Sequence, residues 1–204
     1  MTASSPDTRV CFVGDSFVAG IGDSTGLGWT GRVAVEARTQ GIALTAYNLG
    51  VRRETSVQIA SRLPAETTPR LQPAEDARII LSFGVNDTTV EAGRRRVELS
   101  ASVDALRSMH ADAGRARLLL LGPPAVPDDA QNARLSELNA ALRTTASELR
   151  IPFVDVFTPT STDETWQREA KAGDGFHPDT GGYTVLAAIA MSPIIEWLRS
   201  PAGA

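Results

Sequence analysis

The chain of 204 residues contains one cysteine and two histidines, so it has few residues that bind soft metals or pair oxidatively. The lone Cys11 excludes an intramolecular disulfide and a thiolate metal cluster. Its place in Val10-Cys11-Phe12-Val13 makes it a small core hydrophobe. Excess charge of one sign is also lacking. A net charge of -4 offers no field that would gather nucleic acid or an anionic membrane. The one basic run, Arg94-Arg95-Arg96, reads as a solvated helix face. No run approaches the roughly 20 apolar residues of a membrane span, and Met1 to Arg9 is polar, unlike a signal peptide. These absences predict a cytoplasmic chain that needs no metal or cofactor and has neither a nucleic-acid partner nor a membrane span.

What is present is ordinary for a globular protein, with 42% apolar and 22% charged residues. The length favours one domain, 1–204, with tails at 1–8 and 200–204. Short runs rich in Val, Ile, Leu and Phe predict strands at Arg9–Val13, Leu44–Leu49, Arg78–Phe83, Arg117–Leu121 and Pro152–Val156. Their lack of alternation suits burial on both faces. Between them, Gly and Pro stop signals bound helices at Trp29–Thr39, Ser56–Leu63, Val90–Ala113, Asp128–Leu149 and Thr180–Leu198. The stretch Thr158–Gly175 reads as a long functional loop with a short helix at Glu164–Ala172. Alternating strands and helices predict an α/β fold, a parallel sheet with helices on both faces. The last helix either packs on that sheet or forms a dimer face, so monomer and homodimer both stay open.

In an open parallel sheet, ligands bind beyond the carboxyl ends of the strands. Four polar features fall there. Gly14-Asp15-Ser16-Phe17 follows the first strand, and Asn48-Leu49-Gly50 ends the second. Gly84-Val85-Asn86-Asp87 follows the third, and Asp174-Gly175-Phe176-His177-Pro178 comes after the fifth. A serine hydroxyl is a weak nucleophile until a base takes its proton and a third group holds that base in the right tautomer. With two histidines to choose from, His177 is the base, since His110 lies inside a predicted helix with only Asp112 near it. Asp174 is the orienting carboxylate, ahead of Asp179. Acyl transfer also needs donors for the oxyanion. The candidates are the backbone N–H groups of Ser16 and Gly50 and the side-chain amide of Asn86. Asp87 or Thr88 is then free to cap the helix that follows.

These four blocks, in this order, resemble the SGNH hydrolase (GDSL esterase/lipase) family, over a span from Val10 to Leu198. The resemblance implies a flavodoxin-like three-layer α/β/α sandwich with a five-stranded sheet of order 2-1-3-4-5. It implies Ser16, Gly50, Asn86 and His177 as signature residues, with Asp174 completing a triad. Gly122-Pro123-Pro124 is also similar to family members. Arg53-Glu54 departs from the Gly-Asp often found there, and two larger side chains bear on the shape of the site. The expected activity is hydrolysis of small to medium acyl or acetyl esters through an acyl-enzyme, with a small-molecule ester as the partner. Acyl transfer to an alcohol, or a silent binding module on the same fold, are the alternatives. Val18, Ile21, Trp29, Val85, Val126, Trp166 and Phe176 are candidates to line the pocket. Two other motifs are set aside. Gly26-Leu27-Gly28-Trp29-Thr30-Gly31 lies a loop away from the first strand, where a dinucleotide fingerprint does not sit. Val18 stands where a G-x-S-x-G elbow requires glycine.

Overall fold

The computed structural model describes residues 6–201. The first half of the chain forms β1 (Thr8–Gly14), α1 (Ser16–Ala19), α2 (Gly28–Thr39), β2 (Leu44–Gly50), α3 (Ser56–Leu71), β3 (Asp76–Ser82) and α4 (Val85–Thr88). A small hairpin follows, β4 (Val90–Glu91) and β5 (Arg94–Arg95), and then α5 (Leu99–Asp112), β6 (Arg117–Leu121) and α6 (Asp129–Glu148). The chain closes with β7 (Phe153–Val154), α7 (Phe157–Thr162), α8 (Glu164–Ala172) and α9 (Thr180–Arg199).

The five long-range strands pair in parallel in the order β2-β1-β3-β6-β7, which is order 2-1-3-4-5 once the separate hairpin is set aside. Side chains along each strand alternate between two cores. Val10, Phe12, Ile80 and Leu119 face α2 and α9, where Trp29, Val33, Leu186 and Ile194 are buried. Cys11, Val13, Ile79 and Leu120 face α3, α5 and α6, against Ile59, Leu63, Leu106 and Leu142. Burial on both faces gives the three-layer α/β/α sandwich and explains the near-continuous apolar runs. Among the described residues, α9 alone is long and apolar enough to cross a membrane by length and composition, which differs from the expectation that no run approaches such a span. Its apolar residues pack on α2 and the sheet.

Several expected elements differ. The second helix does not stop at Pro64; it runs to Leu71 with Pro64 and Pro69 inside it. Both prolines lie on the exposed side, where water can satisfy the carbonyls left without an N–H partner. The helix expected from Val90 to Ala113 is a hairpin followed by a shorter helix. Ala92 and Gly93 take φ values of 51° and 78°, both left-handed. Two such residues in succession make the tight turn that joins antiparallel strands, here pairing Glu91 with Arg94. Thr158–Gly175 is largely helical, as α7 and α8. The expected tails fall partly outside the described residues, at 1–5 and 202–204. Within the described part, Thr8 belongs to β1, and the Ser200 carbonyl accepts from Arg78 and Arg117.

β1, β2 and β3 end level, with Gly14 beside both Gly50 and Ser82. A Cβ on Gly14 would overlap the Ser82 carbonyl, so the close approach of these strand ends requires glycine. The segments leaving the three strands converge on one rim.

Candidate active site

Ser16 is the first residue of α1, directly after β1. Asp15 caps that short helix by accepting from the Phe17 N–H at 3.0 Å. The turn leaves Ser16 only 3% exposed, with its hydroxyl against the His177 ring. Ser16 Oγ and His177 Nε2 are 2.6 Å apart, and His177 Nδ1 is 2.8 Å from Asp174 Oδ2. An ionised carboxylate only accepts, so Nδ1 carries the proton and Nε2 is left to accept from the serine O–H. The other Asp174 oxygen accepts from the backbone N–H groups of Phe176 and His177, at 3.0 and 2.9 Å. That turn sets the distance between carboxylate and ring. The Phe17 ring supports the imidazole at 4.7 Å between centroids. Gly22 approaches from the other side, where a Cβ would come within 2.6 Å of the Pro178 carbonyl oxygen.

Two carboxylates here depart in opposite directions from ordinary values. Partial desolvation raises the Asp174 carboxyl, but hydrogen bonds from the His177 backbone and ring and from Phe176 outweigh it and hold the group below the usual range. Asp15 is 1% exposed. Burial, opposed by the Phe17 N–H and reinforced by the nearby Asp87 charge, pushes Asp15 up to about 7. Asp179, the rival orienter, is turned elsewhere. It accepts from the N–H groups of Ser24 and Thr180 at the start of α9. His110 is exposed on α5.

Asn86 lies in α4 and lines the same cavity as Ser16 and His177. Its Nδ2 donates to the Glu54 carbonyl at 3.0 Å and to Asp15 Oδ2 at 3.3 Å, and its Oδ1 accepts from Arg96 at 3.4 Å. Acceptors on one side and a guanidinium on the other fix the orientation of the amide. Like Thr88, Asp87 lies inside α4, which is preceded by Gly84, and does not cap it. It is buried, accepting from the Ser56 N–H at 2.8 Å and the Ser102 hydroxyl at 2.6 Å, and it ties α3 and α5 to this rim.

Of the residues expected in the triad and oxyanion site, Gly50 is the one that does not line the cavity. Its N–H donates to Asn48 Oδ1 at 3.0 Å. A Cβ there would overlap the Ala19 backbone nitrogen and lie 2.8 Å from the Asp15 carbonyl oxygen. Glycine at position 50 therefore permits close packing on α1. Three residues on, Arg53 lines the cavity, and its backbone is left-handed, with φ of 68°. Its N–H has no hydrogen-bond partner among the described residues. Sequence reasoning missed this position because arginine does not announce a left-handed backbone. The Gly-Asp usual at positions 53 and 54 of the resembling family was the available signal.

The cavity has a volume of about 300 Å³. Of the residues expected to line it, Val85 and Phe176 do so. Val18, Trp29, Val126 and Trp166 are wholly buried in the core, and Ile21 lines an adjacent depression behind His177. The run Arg94-Arg95-Arg96 is not a helix face. Arg95 pairs with Glu137 at 2.7 Å, and Arg96 reaches the cavity wall, donating to the Arg53 carbonyl at 2.9 Å.

The structure is similar to several solved proteins. It superposes on a lipase/acylhydrolase from Enterococcus faecalis with a TM-score of 0.75 and 19% identity, covering 93% of this chain and 96% of that one. Axe2, an acetylxylan esterase from Geobacillus stearothermophilus, also gives 0.75 at 19% identity, over 97% and 100% of the two chains. Esterase EstA from Pseudoalteromonas sp. gives 0.73 at 18%, over 95% and 100%. At these identities the likeness establishes the fold. No match is found among curated proteins. The family model described as GDSL-like Lipase/Acylhydrolase matches residues 12–185, the span holding every site block from Ser16 to His177, and this chain therefore belongs to the GDSL-like lipase/acylhydrolase family.

Proposed function

We propose that this protein is a serine ester hydrolase acting through an acyl-enzyme, with Ser16 as nucleophile, His177 as base and Asp174 as its orienting carboxylate. The observation that carries this reading is the unbroken relay from Ser16 Oγ to His177 to Asp174, at 2.6 and 2.8 Å. His177 Nε2 takes the serine proton as Oγ attacks the ester carbonyl carbon. The negative oxygen of the tetrahedral adduct accepts from the Ser16 N–H, the unpartnered Arg53 N–H and the Asn86 amide, which exchanges the longer of its two bonds, 3.3 Å to Asp15, for the oxyanion. Arg53 takes the place that the sequence assigned to Gly50, whose N–H is engaged. As the adduct collapses, the carbonyl re-forms, the C–O bond to the alcohol breaks, and His177 passes its proton to the departing oxygen. Water then attacks the acyl-serine. His177 takes its proton and returns one to Ser16 Oγ as the acid leaves.

The cavity volume of about 300 Å³, bounded by Val85 and Phe176, favours short acyl groups. The acetylxylan esterase activity named for Axe2 fits the same size class. In the Ser16→Ala variant, hydrolysis of an aryl acetate should fall by about 10⁴–10⁶ with the fold intact by circular dichroism. Retention of more than a tenth of the rate in the folded variant would end the assignment.

A further inference from the structure

Beyond the contact of Arg96 with Asn86, the hydrolysis proposed above has no use for a guanidinium, yet Arg52, Arg53 and Arg96 all line the cavity that holds Ser16 and His177. Two carboxylates share that wall, Glu91 and Asp174. Asp174 is already engaged by the His177 ring. The whole chain carries a net charge of -4, so a cationic wall at this point runs against the average.

These arginines are loosely paired. Arg52 lies 3.7 Å from Asp174, Arg53 3.4 Å from Glu91, and Arg96 3.7 Å from the same Glu91. A charge-assisted N–H···O bond sits near ~2.7–2.9 Å. Some arginines elsewhere reach that range or closer, with Arg62–Glu54 and Arg143–Asp155 both at 2.6 Å and Arg95–Glu137 at 2.7 Å, while the exposed Arg107 pairs at 3.1 and 3.5 Å. The Arg52 and Arg53 side chains are 59% and 75% exposed. Long, exposed pairs contribute little, so these two guanidiniums can exchange their carboxylates for a ligand anion at small cost. Arg96 differs. Its side chain is 17% exposed and is anchored on the Arg53 carbonyl and on Asn86 Oδ1, a fixed cation beside the reacting centre.

We infer that the ester accepted by this cavity carries an anionic oxygen group, a carboxylate or a phosphate, within reach of Arg52, Arg53 and Arg96. The inference rests on the ester-hydrolase reading and narrows its substrate class. A planar guanidinium matches the paired oxygens of either group. A concave cationic site also concentrates anions from solution. The anion sits on the acyl side in a half-ester of a dicarboxylic acid, or on the alcohol side in an ester of a phosphorylated alcohol.

Two substrate pairs separate these cases. One is the 4-nitrophenyl half-ester of adipic acid against its methyl-capped diester. The other is acetylated glycerol 3-phosphate against acetylglycerol. Each rate is taken with the Ser16→Ala background subtracted. The charged member of at least one pair should show a kcat/KM roughly tenfold or more above its neutral partner at low ionic strength, with the preference shrinking as salt rises. The pair that shows it locates the anion. In the Arg52→Gln/Arg53→Gly double variant, which retains Arg96, the preference should fall by about threefold or more. Because the readout is a ratio within one enzyme, a general loss of activity from changing a neighbour of Asp174 cancels. Equal rates within both pairs, or a preference undiminished in the double variant, would overturn the inference while leaving the hydrolase reading in place. Loss of all Ser16-dependent turnover on all four esters would instead defeat the hydrolase reading, and this inference with it.

Discussion

Burial of Asp15 should make the stability of this protein fall as the pH rises through neutrality. The carboxyl is 1% exposed and is pushed from 3.8 up to about 7. Between those values the folded chain keeps a proton that the unfolded chain has released, so raising the pH favours unfolding. A shift of three units is worth about 4 kcal/mol at full deprotonation, of which about 2.5 kcal/mol is lost between pH 5 and 8. Asp87, also raised by burial, acts in the same direction. Among the carboxylates held low, Asp23, Asp155 and Asp174 work on the acid side, where their stabilisation is lost as the pH falls through their folded values. The perturbation is Asp15→Asn, which keeps the shape and the acceptor for the Phe17 N–H but cannot ionise. Its amide faces Asn86 Nδ2 instead of offering it an acceptor, so the variant should be less stable at pH 5 by about 1–3 kcal/mol. The test is the slope. Urea unfolding at pH 5, 6, 7 and 8 should show wild-type stability falling with pH, and the variant flatter by about 2.5 kcal/mol across the range. Parallel curves for the two proteins, or wild-type stability that rises over this interval, would refute the reasoning.

Two further outcomes follow from the rim. Gly50→Ala places a Cβ on the backbone of Ala19 and Asp15, which cannot yield as a side chain would, so the variant should lose at least about 2 kcal/mol in urea unfolding. Wild-type stability would show that the strand end is looser than described. Asn86→Ala should lower kcat on an aryl acetate by about 10²–10³ with little change in KM, because the amide acts on charge that develops after binding. A raised KM with kcat unchanged would remove it from the oxyanion site.

The parts of this molecule that were legible in the sequence are those where one local string carries its own physical reason. Runs such as Val10-Cys11-Phe12-Val13 are apolar on both faces because both faces are covered. The contacts of His177 with Ser16 and Asp174 were readable because Ser16 follows a strand, and Asp174 lies three residues before His177, where one turn brings carboxylate and ring together. The misreadings occurred where a backbone conformation or a distant partner decides. Ala92-Gly93 turns the chain inside a stretch that is otherwise helix-like. Pro64 looked like a stop, but the buried Ile59, Leu63 and Leu71 carry α3 past it. Gly50 was read as an oxyanion donor because glycine permits close approach. The approach is real, but it is to α1, and the free N–H at the cavity belongs to Arg53.

The central claim is that the Ser16 hydroxyl is made nucleophilic by His177, and a covalent probe tests it most directly. On treatment of the folded protein with a 4-nitrophenyl alkylphosphonate, one equivalent of nitrophenolate should be released per chain. Peptide mapping should then place the phosphonyl group on Ser16, with labelling absent in Ser16→Ala and strongly slowed in His177→Ala. A folded protein whose Ser16 stays unmodified, or which reacts equally well without His177, would contradict the account.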